Sequence, residues 1–209
     1  MNRMKSPTEH YSIRNLIFGI TVRILSCTVR KSSGKRQKHT MQTTSNIPII
    51  VRLAWPYKTK TIPLGHEQAI AAGKLILERQ YPIDAILYSP LMRAADTAKH
   101  IAEVTGLPAF AEPRLREQNF GKYESTARDG AAFQQAKTQF ANHYEGGESM
   151  LQLAQRIYNL LDELLQQEKN YLLVAHNGIA RVVRSYFQDM TNEAYAKYGI
   201  GNCEVLQLV

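Results

Sequence analysis

The sequence predicts an α/β protein, a three-layer α/β/α sandwich with helices on both faces of a mostly parallel sheet. Three largely apolar runs, at 47–51, 84–89 and 171–175, are typical of strands buried on both faces. Segments with apolar residues at helical spacing alternate with these runs, as in parallel α/β sheets. With 44% apolar and 21% charged residues, the chain can build a complete core.

The first half of the domain alternates strands and helices in order. After the strand at 47–51, the segment 65–80 carries apolar residues at helical spacing and predicts a first helix. The strand at 84–89 is followed by a second predicted helix over 91–104. Phe110 lies in a short third strand, which Pro113 ends because proline lacks the backbone N–H of a strand ladder.

The second half repeats this alternation. Helices are predicted over 134–142 and 149–168, and a further helix follows 171–175 and runs through Tyr186. The chain closes with a strand over 203–209. In the 149–168 helix we assign these apolar residues to one buried face: Leu151, Leu153, Ile157, Leu160, Leu161 and Leu164.

The positive charge of the chain is confined to its first 46 residues. The whole chain has a formal net charge of +8, and residues 1–46 hold nine Lys or Arg against the single acid Glu9. Residues 47–209 are neutral, so nothing indicates a basic binding face, and a nucleic-acid partner is not expected. We therefore predict two regions: a basic leader over 1–46 outside the fold, and the domain over 47–209.

Two interpretations of the leader stay open. Its Arg-rich, acid-poor composition resembles an organelle transit peptide. Alternatively the start codon is set too far upstream and Met41 opens the domain, which is the interpretation we favour. The apolar run 15–29 is short and interrupted by Arg23, so we expect neither a membrane anchor nor a signal peptide. The expected location is the cytoplasm.

Polar residues follow several of the predicted strands. Arg52 comes after the first strand, Arg93 shortly after the second, and His176 directly after the strand at 171–175. Glu117 lies in the loop beyond the short strand of Phe110. Ligands of parallel sheets bind at the carboxyl ends of strands, so these groups are expected to meet there. Arginines clamp phosphoryl groups and a carboxylic acid can protonate a leaving oxygen, which predicts a phosphate-ester site.

Five short motifs resemble the histidine phosphatase superfamily, whose members have a phosphoglycerate mutase-like fold. The motifs are GHEQA (65–69), SPLMRAADTA (89–98), LREQNFGKYES (115–125), GGES (146–149) and VAHNGIAR (174–181). The resemblance covers about residues 47–209 and implies phosphoryl transfer through a phosphohistidine, without a metal or other cofactor. Independently, two cysteines are too few for a cysteine zinc site.

The resemblance also implies roles for individual residues. Arg52 and Arg93 are expected to hold the phosphoryl group, together with His176 as the second pocket histidine. Asn177 is added to these substrate-binding residues, and Glu117 is expected to donate the proton to the leaving group.

The chain departs from the family pattern where the nucleophile should stand. Leu53-Ala54-Trp55 follows Arg52 in place of the family's histidine and glycine. Leucine has no lone pair and cannot take up a phosphoryl group, so we predict weak or absent turnover. Trp55 is expected to pack beside the pocket.

Other histidines are weaker candidates for a role in the site. His66 and His100 lie in predicted helices rather than at strand ends, so neither is expected to replace the nucleophile. His143 precedes the GGES turn and is a candidate for contact with substrate.

Several functions therefore remain open. The first is a phosphatase of small phosphorylated metabolites, and the second is a catalytically silent relative that binds phosphate esters or a protein partner. A phosphoglycerate mutase is a lesser alternative. Mutases of the family carry a larger insertion between the positions of Glu117 and Gly147, and only 29 residues stand between them here. A further function is tethering, in which the basic leader attaches the domain to an acidic surface. The oligomeric state is not determined by the sequence; a dimer is one option.

Overall fold

The computed structural model describes residues 49–52, 63–127 and 129–207. Its five strands form one sheet in the order β3-β2-β4-β1-β5. The bounds are β1 Ile49–Arg52, β2 Ala85–Tyr88, β3 Ala109–Ala111, β4 Tyr171–Ala175 and β5 Val205–Gln207. The strands expected from the sequence are therefore present, with β1 beginning at Ile49 within the described residues.

Four of the five strands run parallel. β4 pairs in parallel with β1 on one side and with β2 on the other, and β3 pairs in parallel with β2. Only β5 is antiparallel, on the outer side of β1. This sheet confirms the predicted mostly parallel architecture.

The central strand β4 is buried on both faces. Leu172 and Val174 pack toward a core that includes Ile86 and Ile101. The alternate residues of β4 pack toward a second core on the opposite face. A parallel strand covered by helices on both sides has no solvent face, which explains its unbroken apolar sequence.

In the described part of the chain, six α-helices cover the sheet or connect its strands. Their bounds are α1 Pro63–Glu78, α2 Met92–Thr105, α3 Ala131–Ala136, α4 Met150–Leu165, α5 Asn177–Phe187 and α6 Asn192–Lys197. Residues of α1 and α2 contribute to one core, and residues of α4 and α5 to the other. The chain is thus a three-layer α/β/α sandwich.

The helix ends follow local sequence signals. Ser149 caps α4 by accepting a hydrogen bond from the Gln152 N–H, and the Gln152 side chain returns one to the Ser149 N–H. α2 ends at Gly106, whose φ of 73° is readily adopted only by a residue without Cβ. None of the helices in the described ranges is both long and apolar enough to span a membrane.

The structure differs from the sequence expectations in several short elements. The helix predicted at 134–142 lies at 131–136 instead, where it begins after Gly130. The short helix α6 and the two 3₁₀ turns, at Pro113–Leu115 and Gly121–Tyr123, were not foreseen. Such short elements present too few residues for a periodic pattern. The leader at 1–46 lies outside the described residues, and its assignment stays a prediction.

Leu151 was placed on the wrong face of α4. It is 52% exposed, whereas Leu153 and Leu160 are fully buried. Two residues correspond to about 200° around a helix, so Leu151 points away from the face that Leu153 occupies.

Replacing Leu160 by alanine should lower the free energy of unfolding by about 2–5 kcal/mol, because a fully buried leucine leaves a cavity. Leu151→Ala on the same helix is the matched control and should change it by less than about 0.5 kcal/mol. Urea unfolding followed by circular dichroism measures both. Equal losses in the two variants would contradict the assigned packing of α4.

Candidate functional site

The site is organised around His176, which follows β4 and is the N-cap residue of α5. The residue is 1% exposed. Its Nδ1 lies 3.2 Å from Nη2 of Arg93, and its Nε2 lies 2.8 Å from Oγ of Ser89. The ring therefore joins the end of β4 to the segment that follows β2.

The hydrogen-bond partners determine the tautomer of His176. A guanidinium group can only donate, so Nδ1 accepts from Arg93 and the ring proton is on Nε2, which donates to Ser89. Burial, followed by the charges of Arg93 and Arg156, lowers the pKa of His176 to about 3. The imidazole is consequently neutral at physiological pH.

Ser89 belongs to a predicted motif, but sequence analysis assigned it no role. It is fully buried immediately after β2, and its Oγ also lies 3.4 Å from the Leu91 N–H, which donates to it. The first turn of α2 begins at the next residue and carries Arg93. The short segment from the end of β2 to the first turn of α2 therefore supplies both hydrogen-bond partners of the His176 ring.

The Glu117 carboxylate packs against the first turn of α5. Oε2 accepts from the Gly178 N–H at 3.4 Å, and Oε1 accepts from the Gln118 N–H at 3.0 Å. A Cβ on Gly178 would overlap Oε1, so another residue at this position would displace the carboxylate from its present place. Glu117 and His176 are thus brought to the same helix terminus, as the sequence predicted for neighbouring groups of one site.

Arg52 is the last residue of β1, and its backbone is in register with Ala175, next to His176. Its location at the carboxyl end of the sheet agrees with the expectation, whereas its role as a phosphate ligand stays a prediction. Leu53 and Trp55 lie outside the described residues.

Two other candidates form no hydrogen bond to Arg93, His176 or Glu117 among the described residues. The Oδ1 atom of Asn177 is near Gly199 and has no hydrogen-bond partner among the described residues. His143 is exposed. A substrate-binding role of either residue stays a prediction.

His66 and His100 interact with each other, which the sequence did not indicate. Nδ1 of His66 lies 2.6 Å from Nε2 of His100, with the rings edge to face. Nδ1 of His100 in turn lies 3.3 Å from Oε2 of Glu103. These contacts connect α1 to α2. Within the described ranges, no three His, Cys, Asp or Glu residues are grouped to hold a metal ion.

Tyr195 on α6 is a further neighbour of Glu117 that sequence analysis missed. Burial raises the pKa of its hydroxyl, and the Glu117 charge adds to that increase. The hydroxyl donates to Sδ of Met150 at 3.3 Å. No motif marks Tyr195, because it reaches this region only through the short helix α6.

Comparison with known proteins gives a consistent result. The profile of the histidine phosphatase superfamily (branch 1) matches residues 62–209, a range that begins beyond Leu53. A glucosyl-3-phosphoglycerate phosphatase of Mycolicibacterium vanbaalenii is 30% identical over 175 residues, with 75% of this chain and 76% of that protein covered. A 2,3-bisphosphoglycerate-dependent phosphoglycerate mutase of a Chelativorans species is 31% identical over 151 residues, covering 66% and 73%.

A solved structure supports the same relationship. The complex of a mycobacterial glucosyl-3-phosphoglycerate phosphatase with inorganic phosphate superposes with a TM-score of 0.62 at 26% identity. The match covers 76% of this chain and 87% of that one.

The low pKa of His176 should make folding sensitive to acid. Between about pH 6.5 and pH 3 the unfolded chain binds a proton at this residue and the folded chain does not. The free energy of unfolding should therefore fall as the pH is lowered, by up to about 1.4 kcal/mol per pH unit from this group. His176→Asn should show a shallower dependence in urea unfolding. The exposed His143→Asn is the control, and identical slopes in both variants would contradict the assignment.

Proposed function

The chain belongs to the histidine phosphatase superfamily, and we propose that its site binds the phosphoryl group of a small phosphorylated metabolite without turning it over. The observation that carries this proposal is the contact of Arg93 with the buried His176, beside the Glu117 carboxylate. A guanidinium group and a carboxyl group at the end of a parallel sheet are suited to a phosphomonoester.

Each group has a distinct part in binding. The Arg93 guanidinium carries several N–H donors, so it can hold phosphoryl oxygens while it remains next to His176. Arg52 at the end of β1 supplies a second positive charge to the equatorial oxygens. The part proposed for Glu117 is contact of its carboxyl group with the ester oxygen.

The missing step is the covalent one. In the family's reaction a histidine nitrogen forms a bond to phosphorus while the ester oxygen departs with a proton from the glutamic acid. Water then attacks the phosphohistidine and releases phosphate, with the carboxylate acting as base. Leu53 offers no nitrogen lone pair, so neither the phosphohistidine nor its hydrolysis can occur at this position.

The ligand class follows from the relatives and from the size of one segment. The matched relatives are named for a phosphorylated sugar acid and for phosphoglycerates, which are small phosphorylated metabolites. The 29 residues between Glu117 and Gly147 leave little room for the larger insertion that mutases of the family carry at this place. This favours a phosphatase ancestry over a mutase.

Inorganic phosphate should bind to the full-length chain, as measured by isothermal titration calorimetry. Arg93→Met should weaken that binding by about 10-fold or more, because it removes charge-assisted hydrogen bonds worth about 1.5–3 kcal/mol. Arg79→Met, at an exposed arginine beyond α1, is the control and should bind normally. Absence of phosphate binding to the unaltered chain would refute the proposed function.

The unaltered chain should hydrolyse p-nitrophenyl phosphate no faster than Leu53→Gln, which is polar but not nucleophilic. Leu53→His should increase the rate by orders of magnitude, since it restores the group that forms the covalent intermediate. The hydrolysis rate is measured from the p-nitrophenolate released, in a stopped or a continuous assay. If the unaltered chain is active and His176→Ala abolishes its activity, another residue takes up the phosphoryl group and the assignment of Leu53 is wrong.

A further inference from the structure

The GGES motif (146–149) has no role in the function proposed above, yet it contacts the loop that carries Glu117. Glu148 of this motif forms a two-point ion pair with Arg156 on α4. Nε of Arg156 donates to Oε2 at 3.1 Å, and Nη2 donates to Oε1 at 2.8 Å. Both side chains are about one-fifth exposed, so water screens the pair only partly.

The same guanidinium holds the backbone of the Glu117 loop. Its Nη1 donates to the Arg114 carbonyl. Its Nη2 donates to the Arg116 carbonyl at 2.8 Å and lies 3.5 Å from the carbonyl of Glu117 itself. Arg156 therefore contacts the loop at Glu117 and on its N-terminal side.

The GGES turn holds the other side of Glu117. Oε1 of Glu148 accepts from the Asn119 N–H at 2.9 Å, and the Glu148 N–H donates to the Asn119 carbonyl at 2.9 Å. A Cβ on Gly147 would overlap that same carbonyl oxygen, so glycine permits this close approach. The loop is consequently held on both sides of Glu117, by Arg156 of α4 on one side and by the GGES turn on the other.

We propose that Arg156, oriented by Glu148, is the positioning residue that sets where the Glu117 carboxyl group stands relative to a bound phosphoryl group. The inference rests on the proposed function for the identity of the ligand. The inference concerns the geometry of the loop, because Arg156 bonds to loop carbonyls and to Glu148 rather than to the Glu117 carboxylate.

Lysine is the informative substitution at this position. Arg156→Lys keeps the positive charge near His176, but a single ammonium group cannot bond simultaneously to Glu148 and to three carbonyls. Arg114→Lys is the matched control. Arg114 also connects this stretch to α4, through Glu163 at 2.7 Å, but its guanidinium bonds to carboxylates rather than to the loop backbone.

The kinetic test uses the full-length chain with Leu53→His, and compares two leaving groups. Glycerol 2-phosphate needs a proton on its departing alkoxide, whereas p-nitrophenolate departs without one. Arg156→Lys should lower kcat/KM, which covers only the steps up to departure of the alcohol, by about 100-fold for the alkyl ester and by less than about 3-fold for the aryl ester. Glu117→Gln should show the same pattern, and Arg114→Lys neither loss. Equal effects of Arg156→Lys on the two esters would overturn the proposal.

A spectroscopic test does not require turnover. The carboxyl ¹³C resonance of Glu117, assigned with Glu117→Gln, is titrated in the otherwise unaltered chain. Arg156→Lys and Glu148→Gln should both shift its titration midpoint, and Arg114→Lys should not; an unchanged midpoint in the first two would overturn the inference. If Leu53→His is inactive on both esters, the proposed chemistry fails, and this titration decides the inference separately.

Discussion

The site depends on one buried imidazole that stays neutral. His176 satisfies both ring nitrogens inside the protein, accepting from Arg93 and donating to Ser89. A protonated ring could not accept from a guanidinium, so this hydrogen-bond pattern requires the neutral form. His176 is also the N-cap residue of α5, and the Glu117 carboxylate packs against Gly178 two residues farther along. The ends of β2 and β4 therefore meet at the His176 side chain, and the Glu117 loop packs against the helix that this residue begins.

The proposed function separates two properties that an enzyme of this family needs together. The groups proposed to bind a phosphoryl group are positioned by β2, β4 and α5, within the described fold. The nucleophile is expected directly after β1, where the sequence has Leu53. On this proposal, binding depends on several elements and is expected to survive one substitution, whereas covalent transfer depends on a single atom with a lone pair.

Much of the fold and part of the candidate site could be predicted from the sequence. The strand at 171–175 is apolar because both its faces are buried, and Arg93 and His176 follow strands that are neighbours in the sheet. The contribution of Arg156 could not be predicted, because it bonds largely to backbone carbonyls, and any residue type presents those. The exposure of Leu151 does not follow from its apolar character, because the angle around the helix decides which leucines of α4 are buried. α6 was missed because six residues carry no recognisable period.

The bonds of His176 also have a consequence for how the chain reaches its native state. Its partners Arg93 and Ser89 are 83 and 87 residues away along the chain. Closing loops of that length costs configurational entropy, which the folded contacts must offset. Because residues far apart in the chain build the site, partly folded chains that lack these contacts are expected to have no affinity for phosphate. Ligand affinity would then report completion of the fold rather than its beginning.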